Sequence, residues 1–314
     1  MKKIDWHAHY ISPGYNNYLD ECFKGKGDGI STPTFSVDAY LKLMRALDIE
    51  FGVLSISSPH ISAALDEDIL PLTEEVNQYG AQIVAEHPDK LGFLATLPLP
   101  FVEESIETID HALDKHNALG FTLPTNARGI YLGEPVIDDV LAKLNARHAI
   151  VAIHPNEPKP SVAVMKDVIL PPLMEFIFDT TRTIIYMSQQ NVFSKYPHIQ
   201  WIVPHGGAVL PIIAQRVKIG NETFNHSNNT DDLEQVMKHL HFDLAGIVIP
   251  YQLANLLPWA DEDKIIYGSD SPYTPHKAVH VLSEQLEEND IVSSSTLEAM
   301  LYQNGKELLN KYKK

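Results

Sequence analysis

The heptapeptide "IDWHAHY" (residues 4–10) sets two histidines one residue apart in a short apolar run near the start of the chain. In an extended strand, side chains at i and i+2 share a face, so His7 and His9 can converge on one point. The spacing suits a metal ion. Two histidines in a strand are nonetheless more often packed and hydrogen-bonded than ligating, so the rest of the chain has to decide.

Working outward from "KIDWHAHY" (3–10), seven similar runs follow. They are "FGVLSIS" (51–57), "LGFLATLPL" (91–99), "LGFTLPT" (119–125), "AIVAIHP" (149–155), "IQWIVPHGG" (199–207), "HFDLAG" (241–246) and "KIIYGSDSP" (264–272). Several are nearly continuous in apolar residues, as parallel strands buried on both faces require. Helical patterns lie between them at 36–48, 103–117, 134–148 and 171–197, and the tail "SSTLEAMLYQNGKELLNKYKK" predicts a closing helix. Ser36 is a plausible N-cap, and Tyr40, Leu41, Met44 and Leu47 form one apolar stripe behind it. Eight strands alternating with helices predict an α/β fold of the (β/α)₈ barrel type, a single domain over 1–314. No Gly-rich fingerprint follows the first strand, which argues against a dinucleotide-binding open sheet. Residues 12–33, rich in Gly, Asn and Tyr, are expected to form a loop over the barrel mouth.

Composition narrows the partners. The 314 residues carry 24 Lys and Arg against 41 Asp and Glu, a formal net charge of −17. So acidic a chain is a poor partner for nucleic acid or an anionic membrane surface, although a metal and a few local bases can still hold an anionic small molecule. A single cysteine, Cys22, forbids an internal disulfide and suggests a reducing compartment. The N-terminus lacks an apolar signal core, and no run has the length of a membrane span. A cytoplasmic protein is expected.

In such barrels chemistry belongs to the C-terminal ends of the strands. The first predicted strand ends in His7 and His9, the fifth in His154, the sixth in His205 and the eighth in Asp270. Each has an ordinary explanation: His154 could end a strand, His205 could serve the turn before two glycines, and Asp270 could cap a helix. All of them at one rim would be a series of coincidences. Three neutral imidazoles and a carboxylate form a donor set for Zn²⁺, with Mn²⁺ or Fe²⁺ as alternatives. His7, His9, His154 and Asp270 are the expected ligands, and His205 stands beside them as acid, base or substrate-orienting group. Asp5 shares the parity of His7 and His9 and is expected either to point inward behind them or to help close the barrel floor. Tyr10, Asn126, Arg128, Tyr131 and Tyr273 are candidates to line the mouth.

The landmarks "IDWHAHY", "LGFLATLPL", "AIHPNEP", "HGGAVLPIIAQR" and "YGSDSPY" resemble the amidohydrolase superfamily along nearly the whole chain. The similarity is to its amidohydrolase 2 branch of aminocarboxymuconate-semialdehyde decarboxylase-like proteins. The segments "FTLPTNARGIYLGEP" and "LPPLMEFIFDTTRT" look most like the 6-methylsalicylate decarboxylases among them. The resemblance implies one divalent metal on residues matching His7, His9, His154 and Asp270, and a functional histidine at His205. The strand-4 segment "GFTLPTNA" lacks the lysine that bridges two metals in other superfamily members, so one ion is expected. Arg216, eleven residues beyond His205, matches an arginine that binds substrate carboxylate, usually from the neighbouring subunit, which implies at least a homodimer. The first helix, "YLKLMRALD", lacks a second such arginine at the matching place. Lys42 or Arg45 could substitute, but a lysine lacks the bidentate fork, so the substrate is expected to differ from the semialdehyde.

The leading expectation is therefore non-oxidative decarboxylation of a hydroxylated aromatic or related unsaturated carboxylate, with Asp270, His205 and Arg216 as catalytic residues. Hydrolysis of a lactone, amide or similar carbonyl compound would use almost the same groups. A metal-binding protein without turnover is the third possibility, and a closed coordination shell would mark it.

Overall fold

The computed structural model describes residues 1–159, 168–224 and 230–312. Its main sheet has eight strands in chain order: Lys3–His9, Ile49–Ser55, Leu91–Thr96, Gly120–Pro124, Ile150–His154, Gln200–Val203, His241–Asp243 and Ile265–Ile266. Each pairs in parallel with the next. The first and last strands close the ring, where Trp6 N–H donates to the Tyr267 carbonyl (2.9 Å) and His9 N–H to that of Ser271 (2.7 Å). The chain folds as a (β/α)₈ barrel, and every predicted run overlaps a strand, the second strand starting two residues before its run, at Ile49. The last two strands are the shortest of the eight, at three and two residues.

Ile4, Trp6, Phe51, Val53, Leu94, Ile150, Ile202 and Ile266 form one buried cluster, the barrel interior, and Tyr302, Leu308 and Leu309 from the C-terminal segment seal it from below. The opposite strand faces join the larger cluster shared with the surrounding helices. Near-continuous apolar strands are what this double burial demands.

Two expectations change. Residues 12–33 are not simply a loop: they contain an 11-residue helix, Pro13–Phe23, capped by Ser12, whose hydroxyl accepts from Tyr15 N–H (3.1 Å). Ser-Pro is a helix start, and Tyr15, Tyr18 and Leu19 bury one stripe of it, a pattern hidden by the polar residues between them. The predicted helix over 171–197 is broken into a 3₁₀ turn (Pro171–Leu173) and helices Glu175–Gln189 and Val192–Lys195, with Asn191 at φ 59° between the last two. The longest helix among the described residues, Asp66–Glu86, is absent from the predicted patterns. Ser36 caps Val37–Leu47 as expected, accepting from Ala39 N–H (3.2 Å).

Of the two roles expected for Asp5, the structure shows the one that closes the barrel. The pairing of the first two strands shifts register between Asp5 and Ala8. Such an irregularity switches the side-chain alternation. Ile4 and Trp6 face the interior, and so do His7 and His9 beyond the shift, while Asp5 points out and accepts a hydrogen bond from Tyr40 Oη (2.8 Å) on helix Val37–Leu47. It also accepts from the backbone N–H groups of His7 (3.1 Å) and Ser269 (3.0 Å), tying the first strand to the last at the seam.

His241, 3% exposed at the start of the seventh strand, has its pKa pushed down to about 4 by burial and by the charges of Lys264 and Lys311. The unfolded chain protonates this ring near pH 6.5, so its contribution is complete above that pH and is lost as pH falls toward 4. Between pH 7 and pH 5 this one group is expected to remove about 2 kcal/mol of stability. Denaturant titrations of wild type and His241→Gln at both pH values check it; equal losses in the two proteins would refute the assignment.

Candidate metal centre

The mouth is assembled from the ends of four strands and the turns that follow them. His7 and His9 arrive through the register shift, and His154 ends a strand whose Ile150 and Ala152 pack with the barrel interior four and two residues earlier. Asp270 follows the eighth strand with φ 57°, its N–H donating to the His7 carbonyl (2.7 Å). His205 follows the sixth with φ 56°. Left-handed backbone at non-glycine residues is uncommon and gathers at functional sites, because only a fold that constrains them from all sides keeps them there.

The donor atoms are close. His7 Nε2 lies 3.1 Å from His9 Nε2, His9 Nε2 lies 3.2 Å from Asp270 Oδ1, and His7 Nε2 lies 3.6 Å from the same oxygen. Ligands bound to one zinc at 2.0–2.2 Å in a tetrahedron are separated by about 3.4 Å. The triangle already has that size. His154 offers a nitrogen within 4.8 Å of those of His7 and His9; its Nδ1 is 3.0 Å from the Pro155 carbonyl, so Nε2, with only a long 3.4 Å contact to Ser57 Oγ, is the nitrogen turned to the centre. Two imidazole nitrogens aimed at each other cannot both carry protons at this distance, and a shared cation resolves the conflict. The four residues fit a divalent ion.

Electrostatics favour the required protonation states. Burial lowers the pKa of His9, and burial together with the neighbouring rings takes that of His154 well below the usual range. Burial also lowers His205. For Asp270, burial opposes ionisation, but the hydrogen bond to His9 and the charges of the surrounding rings hold it well below the usual carboxylate range. His7 differs: burial pulls its pKa down, yet Asp243 and Asp270 raise it to about 9.

Asp243 is the residue that sequence reasoning missed. Its Oδ2 is 2.8 Å from His7 Nδ1, and its Oδ1 accepts from the N–H groups of His205 and Ala245 (3.0 Å each). One buried carboxylate thereby orients a ligand ring and the turn that carries His205, the arrangement by which outer groups tune metal ligands. A carboxylate near the C-terminal end of the predicted seventh strand was the available clue.

His205 joins the group. Its ring centroid is 5.2 Å from that of His7, it offers a nitrogen within 4.8 Å of donors on His7 and Asp270, and its Nδ1 has no partner among the described residues. Arg216 does not join it within one chain: it stands exposed on helix Leu210–Phe224, as do Lys42 and Arg45 on Val37–Leu47. Of the mouth candidates, Tyr273 packs edge-on against His9 at 5.5 Å. Tyr10 instead turns outward, donating to the Val76 carbonyl (3.1 Å) on helix Asp66–Glu86. Asn126 and Tyr131 donate to buried Asp179 (3.0 and 2.5 Å), and Arg128 braces the loop after the second strand through Ser62, Ala64 and Asp66. These three position loops.

Barrel and rim together define a (β/α)₈ protein with a His₃Asp candidate metal centre. The chain belongs to the amidohydrolase family, whose family model matches residues 4–311. It is 27% identical to a 6-methylsalicylic acid decarboxylase of Penicillium expansum, over 89% of this chain and 87% of that protein. A solved amidohydrolase II is 39% identical and superposes with a TM-score of 0.93, covering 98% of this chain and all of the other. The fold is also that of a dihydroxybenzoic acid decarboxylase from Polaromonas, solved with manganese and 2-nitroresorcinol (18% identical, TM-score 0.85, 98% and 97% covered).

Proposed function

We propose that this chain is a divalent-metal-dependent, non-oxidative decarboxylase of a hydroxylated aromatic carboxylate. The observation that carries the reading is the His7–His9–Asp270 triangle, already at coordination spacing, with uncharged His205 beside it. Its likeness to named decarboxylases over most of its length supports the same chemistry. His7, His9, His154 and Asp270 hold one ion. Zn²⁺ is our assignment for these donors, with Fe²⁺ or the Mn²⁺ of the Polaromonas structure as the competing results.

A bound divalent ion supplies Lewis-acid stabilisation of charge on the substrate's oxygens. Asp270, whose ionised form its neighbours favour, is a strong acid once protonated and hands a proton to the ring carbon bearing the carboxylate. The bond to that carboxylate then breaks, CO₂ departs, and the bonding pair restores the aromatic ring. His205 holds the substrate against the rim, and its neutral ring relays a solvent proton to Asp270, taking one up on one nitrogen as the other releases one. Arg216, exposed on its own chain, clamps the substrate carboxylate from a second copy in a homodimer or larger assembly. No helix among the described residues is long and apolar enough to cross a membrane. With its single exposed cysteine, the chain fits a reducing cytoplasm.

Elemental analysis of the purified chain should find about one divalent ion, and removing it with a chelator should abolish turnover. Incubation with ortho-hydroxybenzoates and with lactones, following CO₂ and ring opening separately, checks the reaction. CO₂ without ring opening is expected; ring opening alone would make the chain a hydrolase.

A further inference from the structure

His60 occupies the loop between the second barrel strand and helix Asp66–Glu86, and no hydrogen bond among the described residues accounts for its polarity. It is 1% exposed, and neither ring nitrogen has a hydrogen-bond partner among the described residues. Its backbone is left-handed, at φ 54°. A buried imidazole with both nitrogens unpaired costs stability, and the backbone conformation costs more. For packing alone, an apolar ring would be the better residue.

The loop is also held firmly in place. His60 N–H and Tyr15 Oη both donate to the Ser57 carbonyl (3.1 and 2.7 Å). Ser58 Oγ lies 2.5 Å from Asp28 Oδ2 and 3.1 Å from Asn156 Oδ1. Arg128 secures the far side through the Ser62 and Ala64 carbonyls. Thus the helical segment after the first strand, the loop after the fifth and the loop after the fourth all brace it. The braced ring lies edge-on to His154, with centroids 5.4 Å apart. A metal-centre ligand and an unpaired imidazole are therefore neighbours at the same mouth.

We propose that His60 is a substrate-binding residue whose imidazole hydrogen-bonds an uncharged polar oxygen, a ring hydroxyl, on the substrate held beside His154. The assignment rests on the decarboxylase reading and sharpens it: the preferred substrate carries a hydroxyl besides the one next to its carboxylate. The ring is buried and has no hydrogen-bond partner among the described residues, which favours its uncharged form. A neutral imidazole offers one donor and one acceptor, the complement of a hydroxyl. It cannot neutralise a carboxylate, which is left to Arg216.

The test uses metal-loaded, full-length wild type, His60→Phe and His60→Asn. Metal content, Tm with and without salicylate or dihydroxybenzoate isomers, and kcat/KM for CO₂ release are measured. In wild type, one dihydroxy isomer should be preferred over salicylate, by Tm shift and by turnover. His60→Phe should keep its ion and at least the wild-type Tm, because an unpaired polar ring has become apolar. Its kcat/KM on the preferred isomer should fall about tenfold with little change on salicylate, and His60→Asn should recover part of the preference. A Tm several degrees lower in His60→Phe, or discrimination unchanged from wild type, overturns the assignment. Absence of CO₂ from every compound overturns the decarboxylase reading, while the ligand-induced Tm shifts still decide His60. Absence of any such shift or isomer preference in wild type overturns the His60 assignment alone, because CO₂ release decides the reaction.

Discussion

Purified His205→Ala protein is expected to carry the same single ion as wild type while kcat falls about a hundred- to ten-thousand-fold. His205 lies near enough to the centre to interact with substrate held there, with ring centroids 5.2 Å from His7 and 6.5 Å from His154. In the proposed ligand set, His7, His9, His154 and Asp270 hold the ion without it. Burial keeps its ring neutral, and its Nδ1 is unpaired among the described residues, so it retains capacity to hold a substrate oxygen or pass a proton. The backbone under it is anchored by Asp243 at 3.0 Å, so the substitution should leave the turn in place. Metal analysis alongside single-turnover kinetics checks the division of labour. Loss of the ion in the alanine variant would make His205 a ligand, and unchanged kcat would remove it from the chemistry.

The second large effect is expected at Asp243. Asp243→Asn should weaken divalent-ion affinity about ten- to a hundredfold, read by competition with a chromogenic chelator. The carboxylate accepts from His7 Nδ1 at 2.8 Å, which fixes the tautomer that presents Nε2 to the ion and makes that nitrogen a better donor. An amide in its place can still accept from the His205 and Ala245 N–H groups, so the fold should survive. Its charge, however, no longer supports the ring. Burial would by itself raise the Asp243 pKa, yet the His7 ring beside it lowers it. An unchanged affinity would reduce Asp243 to a structural bracket.

The two variants separate roles that distance alone does not. His205 is expected to affect turnover without affecting metal, and Asp243 to affect metal first. A chain in which both behaved alike would have a less differentiated rim than this geometry implies.

How much of this was legible in the residue order differs from element to element. Eight apolar runs with helical patterns between them determine the barrel, since strands buried on both faces must be continuously apolar and a parallel pair needs a crossover. The same repetition brings His7, His9, His154, His205 and Asp270 to one rim, because the barrel collects the C-terminal ends of its strands wherever they fall in the chain. These assignments need only local periodicity and one topological rule.

What tertiary structure alone decided depends on neighbours distant in sequence. Parity along the first strand points Asp5 toward the histidines, but its pairing with the second strand shifts register and sends Asp5 to Tyr40 instead. The importance of Asp243 appears only when the seventh strand is laid beside the sixth, and near the first. Braces from three other segments create the isolation of His60, and nothing in "SSPHIS" announces it. Arg216 remains outside the rim of its own chain, because its helix points it to solvent. Periodicity is a property of one segment and can be read from it; register, bracing and the pairing of buried polar atoms belong to several segments at once and exist only after they pack.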